Sequence, residues 1–363
     1  MLRRLLLLLL ISLFLCGCNK NSKEEITFAS WGSATEIQIL KKIITDFEKE
    51  NPDIKISFMH IPQNYFQKMH LLFASNTPPD VLFINNLYLP LYSSYLEDLS
   101  SYTNKEQFYP QAIEGLSADG KILAIPRDIS NQVFYVNLDK TTLPDNKWTL
   151  DDLTRVCSGI TKNGTFCVSY EDKVYWLKPY LSYFGGSVLD KDKNLSIGTE
   201  QSKKAINFYK DLKTKYHYAP TKSEIGSSTL AQMFIDGKIV FYLSGKWMYP
   251  KISETAKFKW AVINFPYGEN PQEIDTSGWA IAKSSKHKEA AVKLVQFLSD
   301  KESSEYFTKT GLIVPARIDN AGLLNDTKHN EHIFAETITK SIASPVCKDY
   351  GKLMDKLNNS LDL

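Results

Sequence analysis

The sequence predicts an α/β protein of two lobes, and three observations carry that prediction. Residues 26–84 alternate strand, helix, strand, helix, strand, the wiring of a parallel sheet covered by helices. A second set of elements begins at Val133, and the last third returns to the first alternation, so the chain crosses between lobes more than once. With 363 residues, 43% of them hydrophobic, it is long enough to bury two cores.

Met1-Leu2-Arg3-Arg4 is basic, and Leu5 to Leu15 is apolar apart from Ser12, closing in Leu15-Cys16-Gly17-Cys18. A basic start, an apolar stretch and a small-residue site mark residues 1–17 as an export signal. The run is shorter than the roughly 18 to 20 apolar residues of a membrane-spanning helix. Gly17 before Cys18, with Leu15 three residues ahead of that cysteine, resembles a bacterial lipobox, which implies lipidation of Cys18 and an extracytoplasmic, membrane-anchored protein. Residues 18–25 are polar and are expected to act as the tether.

Ile26 to Trp31 reads as the first strand. After Gly32, Ile37, Leu40, Ile43 and Phe47 recur at helical spacing, and Asn51-Pro52 ends the helix. Ile54 to Met59 is a second strand, Tyr65 to Ala74 a second helix and Asp80 to Ile84 a third strand. Beyond Val133 come a helix starting at Leu150, a helix bearing Ile206, Tyr209 and Leu212, and the strand Ile239 to Leu243. The strand Trp279 to Ala282 and the helix Glu289 to Leu298 close the pattern.

Without the leader, 43 basic residues fall to 41 against 41 acidic ones, and a neutral surface argues against a nucleic-acid partner. Three cysteines remain beyond Cys18. Cys157 and Cys167 can close a short loop as a disulfide worth about 3 kcal/mol or stand as separate thiols, and Cys347 fits a buried apolar position. The chain has no Gly-x-Ser-x-Gly elbow, no His-Glu-x-x-His and no phosphate loop, and its six histidines lack metal-ligand spacing. No catalytic residue, metal or cofactor is therefore expected, although Glu36 and Asp128 can be pictured as the two carboxylates of a glycosidase.

Phe28-Ala29-Ser30-Trp31-Gly32, residues 44–56, Pro79-Asp80-Val81, Asp119-Gly120-Lys121 and Ala124-Ile125-Pro126 follow one another in an order that resembles the family 1 extracellular solute-binding proteins. Asp236-Gly237-Lys238, Ser244-Gly245-Lys246-Trp247, Ser277-Gly278-Trp279-Ala280 and Val314-Pro315-Ala316-Arg317 continue the likeness. These are the maltose, trehalose and glycerol-phosphate type receptors. The resemblance implies a type II periplasmic-binding-protein-like fold with mostly parallel sheets and several crossings between lobes. Lobe one would be 26–128 with 279–316, and lobe two 129–278 with 317–363, the latter trimmed at its end. It further implies a monomer that captures a sugar in the cleft and delivers it to ABC permease subunits. A glycerol phosphodiester, polyamine or ferric ion remains the alternative, the last because of the many tyrosines.

A sugar ring offers apolar faces and a rim of hydroxyls, so its site needs flat aromatics and forked polar groups. Trp31, at the carboxyl end of the first strand, and Glu36, at the start of the next helix, are the first candidates; packing and an acid favoured by the helix macrodipole are their structural readings. By resemblance, Asn85 stands where the family carries aspartate and Tyr88 where it carries tryptophan. Arg127 and Asp128 mark the first crossing, where the alternative is a plain ion pair. Trp247 and Trp279 match positions that stack on sugars, and Arg317 matches an arginine at the third crossing. Tyr65 and Trp176 are looser candidates. Asp80 fits a turn or cap, and Trp148 and Trp260 fit packing positions.

Overall fold

The computed structural model describes residues 23–144, 147–162 and 164–363; the export signal and Cys18 lie outside them. The expected tether is shorter than drawn, because β1 (Glu24–Ser30) begins at Glu24, which pairs with Ile54. Ile26, Phe28 and Ala29 are buried, as a strand covered on both faces requires. β1 lies between β2 (Ile54–His60) and β3 (Val81–Asn85), parallel to both. The helix Ala34–Glu50 covers them with Ile37, Leu40, Ile43, Ile44 and Phe47, and Asn51 ends it.

A short hairpin, β4 (Ser117–Ala118) and β5 (Lys121–Ile122), leads into β6 (Ile125–Ser130). The chain then crosses into a second sheet of β7 (Val133–Asn137), β8 (Phe166–Val168), β9 (Ile239–Ser244) and β10 (Trp260–Asn264), ordered β10-β7-β9-β8. It returns as β11 (Gln272–Ile281), followed by β12 (Val314–Pro315) and β13 (Ser341–Ala343). The larger sheet runs β12-β6-β11-β3-β1-β2, with β13 alongside the start of β11.

Two details differ from the expectation. The sheets are mixed rather than mostly parallel: β11 is antiparallel to β3 and β6, and β7 to β9 and β10. A strand returning from the other lobe enters at the carboxyl edge of the parallel set and must run against it. Residues 272–278, drawn with lobe two, therefore belong to the larger sheet. Segment 316–340 acts as a strap between β12 and β13. On the way its helix Ile333–Ile338 packs on β10, and His329 stacks on Trp260 with ring centroids 3.9 Å apart.

The first core gathers Phe28, Leu40, Phe47, Ile84 and Leu294; the second gathers Phe134, Trp148, Tyr209, Phe241 and Phe265. Trp148 and Trp260 are both buried, and the Trp148 indole donates to the Asn264 carbonyl at 3.1 Å. Cys157, on the helix Leu150–Ile160, and Cys167, in β8, form a disulfide with a Cα–Cα distance of 5.1 Å. Cys347 is a half-buried free thiol. Among the described residues no helix is long and apolar enough to cross a membrane, and no three His, Cys, Asp or Glu side chains form a metal-holding group.

Candidate functional site

The floor of the site is built where β1, β3 and β6 end. Trp31 directly follows β1 and is 43% exposed, its ring 5.8 Å from that of Phe83. Gly32 then turns the chain at φ +151°, and a Cβ there would lie 3.0 Å from the Cβ of Glu36. Glu36 closes a capping box: its Oε2 accepts from the Ser33 amide at 2.9 Å, and Ser33 Oγ accepts from the Glu36 amide at 3.3 Å. Glu36 thus holds the start of the helix, and its Oε1 also lies 3.4 Å from Arg127 Nη2.

Arg127 and Asp128 are neighbours in β6, and in a regular strand their side chains would point to opposite faces. The pairing slips here: Ser277 faces Asp128, but Gly278 faces Pro126, leaving Arg127 as the extra residue of a bulge. A bulge re-aims side chains, and Arg127 can then pair with Asp128 itself. Gly278 permits this close approach, since a Cβ there would meet the Ile125 carbonyl oxygen at 2.2 Å. Asp128 also accepts from the Ser277 hydroxyl. The buried guanidinium lies 5.0 to 5.5 Å from the ring centroids of Phe83, Phe307 and Trp279, and its Nη1 has no hydrogen-bond partner among the described residues.

The second lobe contributes an aromatic group of its own. Past the crossing, Gln132 Nε2 donates to the Tyr175 carbonyl at 3.3 Å, fixing the start of the helix Val174–Tyr183. The Tyr175 and Trp176 rings are 5.2 Å apart, and the Trp176 ring is 6.5 Å from that of Trp247 at an interplanar angle of 62°. Trp247 is 37% exposed. Its ring folds over Gly245, where a Cβ would come within 1.9 Å of the indole.

Several expected site residues are engaged in contacts within the fold, Asn85 among them at the floor itself, where it ends β3 opposite Ser277. Trp279 is fully buried, packed edge-on against Phe28 and Phe83 at 5.3 and 5.9 Å, so its faces are occupied by core. Tyr65 is buried and its hydroxyl donates to the Phe83 and Ala29 carbonyls at 2.9 and 3.2 Å; burial pushes this phenol far up. Arg317 is forked onto Asp319 at 2.9 and 2.8 Å and also donates to the Ser299 carbonyl and to Gln107. Tyr88 is stacked on Phe66 with ring centroids 3.8 Å apart, and Asn85 accepts from the Tyr88 amide at 3.2 Å. Asp80 is structural, accepting from Thr27 and Ser285.

Other polar groups occupy the crossing. Asn86 Oδ1 accepts from the Thr276 amide at 3.0 Å, and its Nδ2 donates to Asp275 at 3.3 Å. Lys178 Nζ, buried, lies 2.6 Å from Ser344 Oγ, 3.1 Å from Glu273 and 3.5 Å from Asp275. The sequence held one signal for this: Glu273, Asp275 and Ser277 alternate with period two, a polar face on a strand. Each cation at the crossing is thus matched by two carboxylates, Arg127 by Glu36 and Asp128, Lys178 by Glu273 and Asp275.

Residues 42–335 match the family described as bacterial extracellular solute-binding protein. The maltodextrin-binding protein of Bacillus subtilis is 25% identical over 334 residues, 85% of this chain and 78% of its own length. The ABC substrate-binding protein of Listeria monocytogenes, solved with cycloalternan, superposes with a TM-score of 0.83 at 25% identity, covering 94% of this chain and 93% of that one. The GacH receptor of Streptomyces glaucescens, solved unliganded and with acarbose, gives 0.80 at 21% identity over 94% and 92%.

Proposed function

The chain belongs to the bacterial extracellular solute-binding proteins, and on that premise we propose that it is the substrate-binding component of an ABC importer, taking a neutral sugar, mono- or oligosaccharide, into the cleft. The observation that carries this reading is the exposed Trp247, paired with Trp176 on the second lobe, together with the exposed Trp31 of the first lobe, which packs on the same Phe83 ring as the Arg127 guanidinium. Flat indole faces suit sugar C–H faces, and the ion-paired floor offers forked acceptors and donors for hydroxyls. Because Arg127 and Lys178 each already face two acids, the floor carries no excess positive charge for a phosphodiester or sugar acid, and the unpartnered Arg127 Nη1 suits a neutral hydroxyl. The cycloalternan, acarbose and maltodextrin named for the similar proteins support the same class.

Ligand touching both lobes favours their closed arrangement, and that differential affinity shifts the population toward the form offered to the permease subunits. The sugar is bound and released unchanged. Glu36 and Asp128 share one guanidinium, the arrangement of an ion pair rather than of an acid and a base flanking a scissile bond.

A thermal-shift screen tests this reading. Maltose, maltotriose, maltotetraose, cycloalternan and acarbose are expected to raise the melting temperature by mass action. Trp247→Ala is expected to weaken the best of them at least tenfold, about 1.4 kcal/mol, with the ligand-free melting point nearly unchanged. Silence toward every carbohydrate beside a clear response to a glycerol phosphodiester, spermidine or ferric ion would overturn the assignment.

The protein works at the outer face of the membrane, held there by acyl chains on Cys18. Labelled palmitate is expected to enter the wild-type protein and not Cys18→Ser; incorporation into the variant would remove the anchor from this reading.

A further inference from the structure

We propose that Lys246 is a positioning residue for the Trp247 platform, tying the turn that carries the indole to the strap 316–340 through a buried ion pair with Glu331. This deepens the reading of Trp247 as the sugar platform and rests on it. Leaving β9, successive side chains go opposite ways: Trp247 reaches solvent, while Lys246 turns inward and is 2% exposed. Its Nζ lies 2.6 Å from Glu331 Oε1 and 3.5 Å from the centroid of the Tyr249 ring. Glu331 Oε2 accepts from the Asp326 amide at 3.0 Å, the Tyr249 hydroxyl donates to Asp326 Oδ2 at 2.9 Å, and His329 Nδ1 is 2.6 Å from that same oxygen. The pair is therefore one node of a network that runs through the strap to Trp260, on which His329 stacks.

Lobe one closes over the same spot. A Cβ on Gly311 would lie 3.7 Å from Lys246 Nζ, and Glu254 and Lys309 line the adjoining groove. An ammonium held this way is either charged and paired or neutral and released. Burial pulls Lys246 down to about 8, outweighing the attraction of Glu331. Asp326, against its burial, is held low by hydrogen bonds from His329 and Tyr249, and burial pushes Tyr249 high. Below about pH 8 the pair is made; as pH rises past it, Lys246 loses its proton and Glu331 its partner. The Trp247 turn then loses its anchor while the sheet beneath it is untouched.

The full-length protein labelled with 5-fluorotryptophan gives a test that needs no sugar. Among the resonances of its six tryptophans, that of Trp247 is identified by its loss in Trp247→Phe. It is expected to move between about pH 6.5 and 9.5 with a midpoint near that of Lys246, and to stay still in Lys246→Arg, whose guanidinium remains charged throughout. A Trp247 resonance that does not move in the wild type, or that moves equally in Lys246→Arg, overturns the proposal; the second outcome would assign the movement to a group other than Lys246. The wild-type titration stands even if a variant fails to fold. Maltotriose affinity measured on the same samples separates the two claims. Unchanged affinity in Trp247→Phe and Trp247→Ala would sink the platform and leave the anchor standing; affinity lost there, beside a motionless resonance, would do the reverse.

Discussion

Trp279 stands in the middle of β11 between Phe28 and Phe83, with its entire surface covered. Truncating it to alanine leaves a void that surrounding aromatics cannot fill, so Trp279→Ala is expected to cost about 3 to 5 kcal/mol. The loss would appear as a lower urea midpoint at unchanged m-value; a variant as stable as the wild type would mean that the indole faces solvent after all. The motif Ser277-Gly278-Trp279 marked a strand at a crossing, but which face each side chain takes depends on register, and the bulge at Gly278 is invisible in one dimension. Trp247 differs for a local reason, since Gly245 lets the indole lie over the backbone and remain exposed. Tyr65 and Arg317 are committed within the fold for another reason. Both have polar atoms, but those atoms are satisfied by backbone carbonyls and Gln107 of lobe one and by Asp319 of the strap.

At the scale of elements, what repeats locally was legible. The helix Ala34–Glu50 follows from its apolar spacing and its capping box, and β1 to β3 from apolar runs bounded by turns. β11 was only half legible. Its second half is apolar, whereas Gln272 to Ser277 looks too polar for a buried strand until Lys178, Asn86 and Asp128 supply the partners. The disulfide likewise needed three dimensions, because it joins the helix Leu150–Ile160 to the edge strand β8. Replacing Cys157 and Cys167 together by serine is expected to cost about 3 kcal/mol through loop entropy. The melting point should fall while the thermal shift given by sugar persists, because the bond sits at the sheet edge away from the crossing. A sugar response lost along with the bond, in protein that is still folded, would instead tie this edge to the site.

Across the whole molecule, the two sheets are joined at a pivot whose chemistry is ionic. Lys178 comes from the helix Val174–Tyr183 of the second lobe, and Glu273 and Asp275 from the start of β11 in the larger sheet; all three are buried or nearly so. Removing one member of such a cluster costs more than the cluster contributes, because the remaining charges stay buried without a counterion. Lys178→Met is therefore expected to lose about 3 to 5 kcal/mol at neutral pH. The sign of its pH dependence follows from Glu273, whose carboxyl is already pushed up by burial and held back chiefly by Lys178, with a smaller contribution from Ser344. Without the lysine that carboxyl rises further. A folded-state value above the unfolded one means that stability is retained at low pH and lost as pH rises through it. The deficit of Lys178→Met relative to wild type should shrink between about pH 8 and pH 5, and adding Glu273→Gln should recover much of it at neutral pH. Urea midpoints across that range decide the matter: a deficit constant with pH, and unrelieved by Glu273→Gln, would show that Lys178 holds the lobes by packing of its chain rather than by its charge.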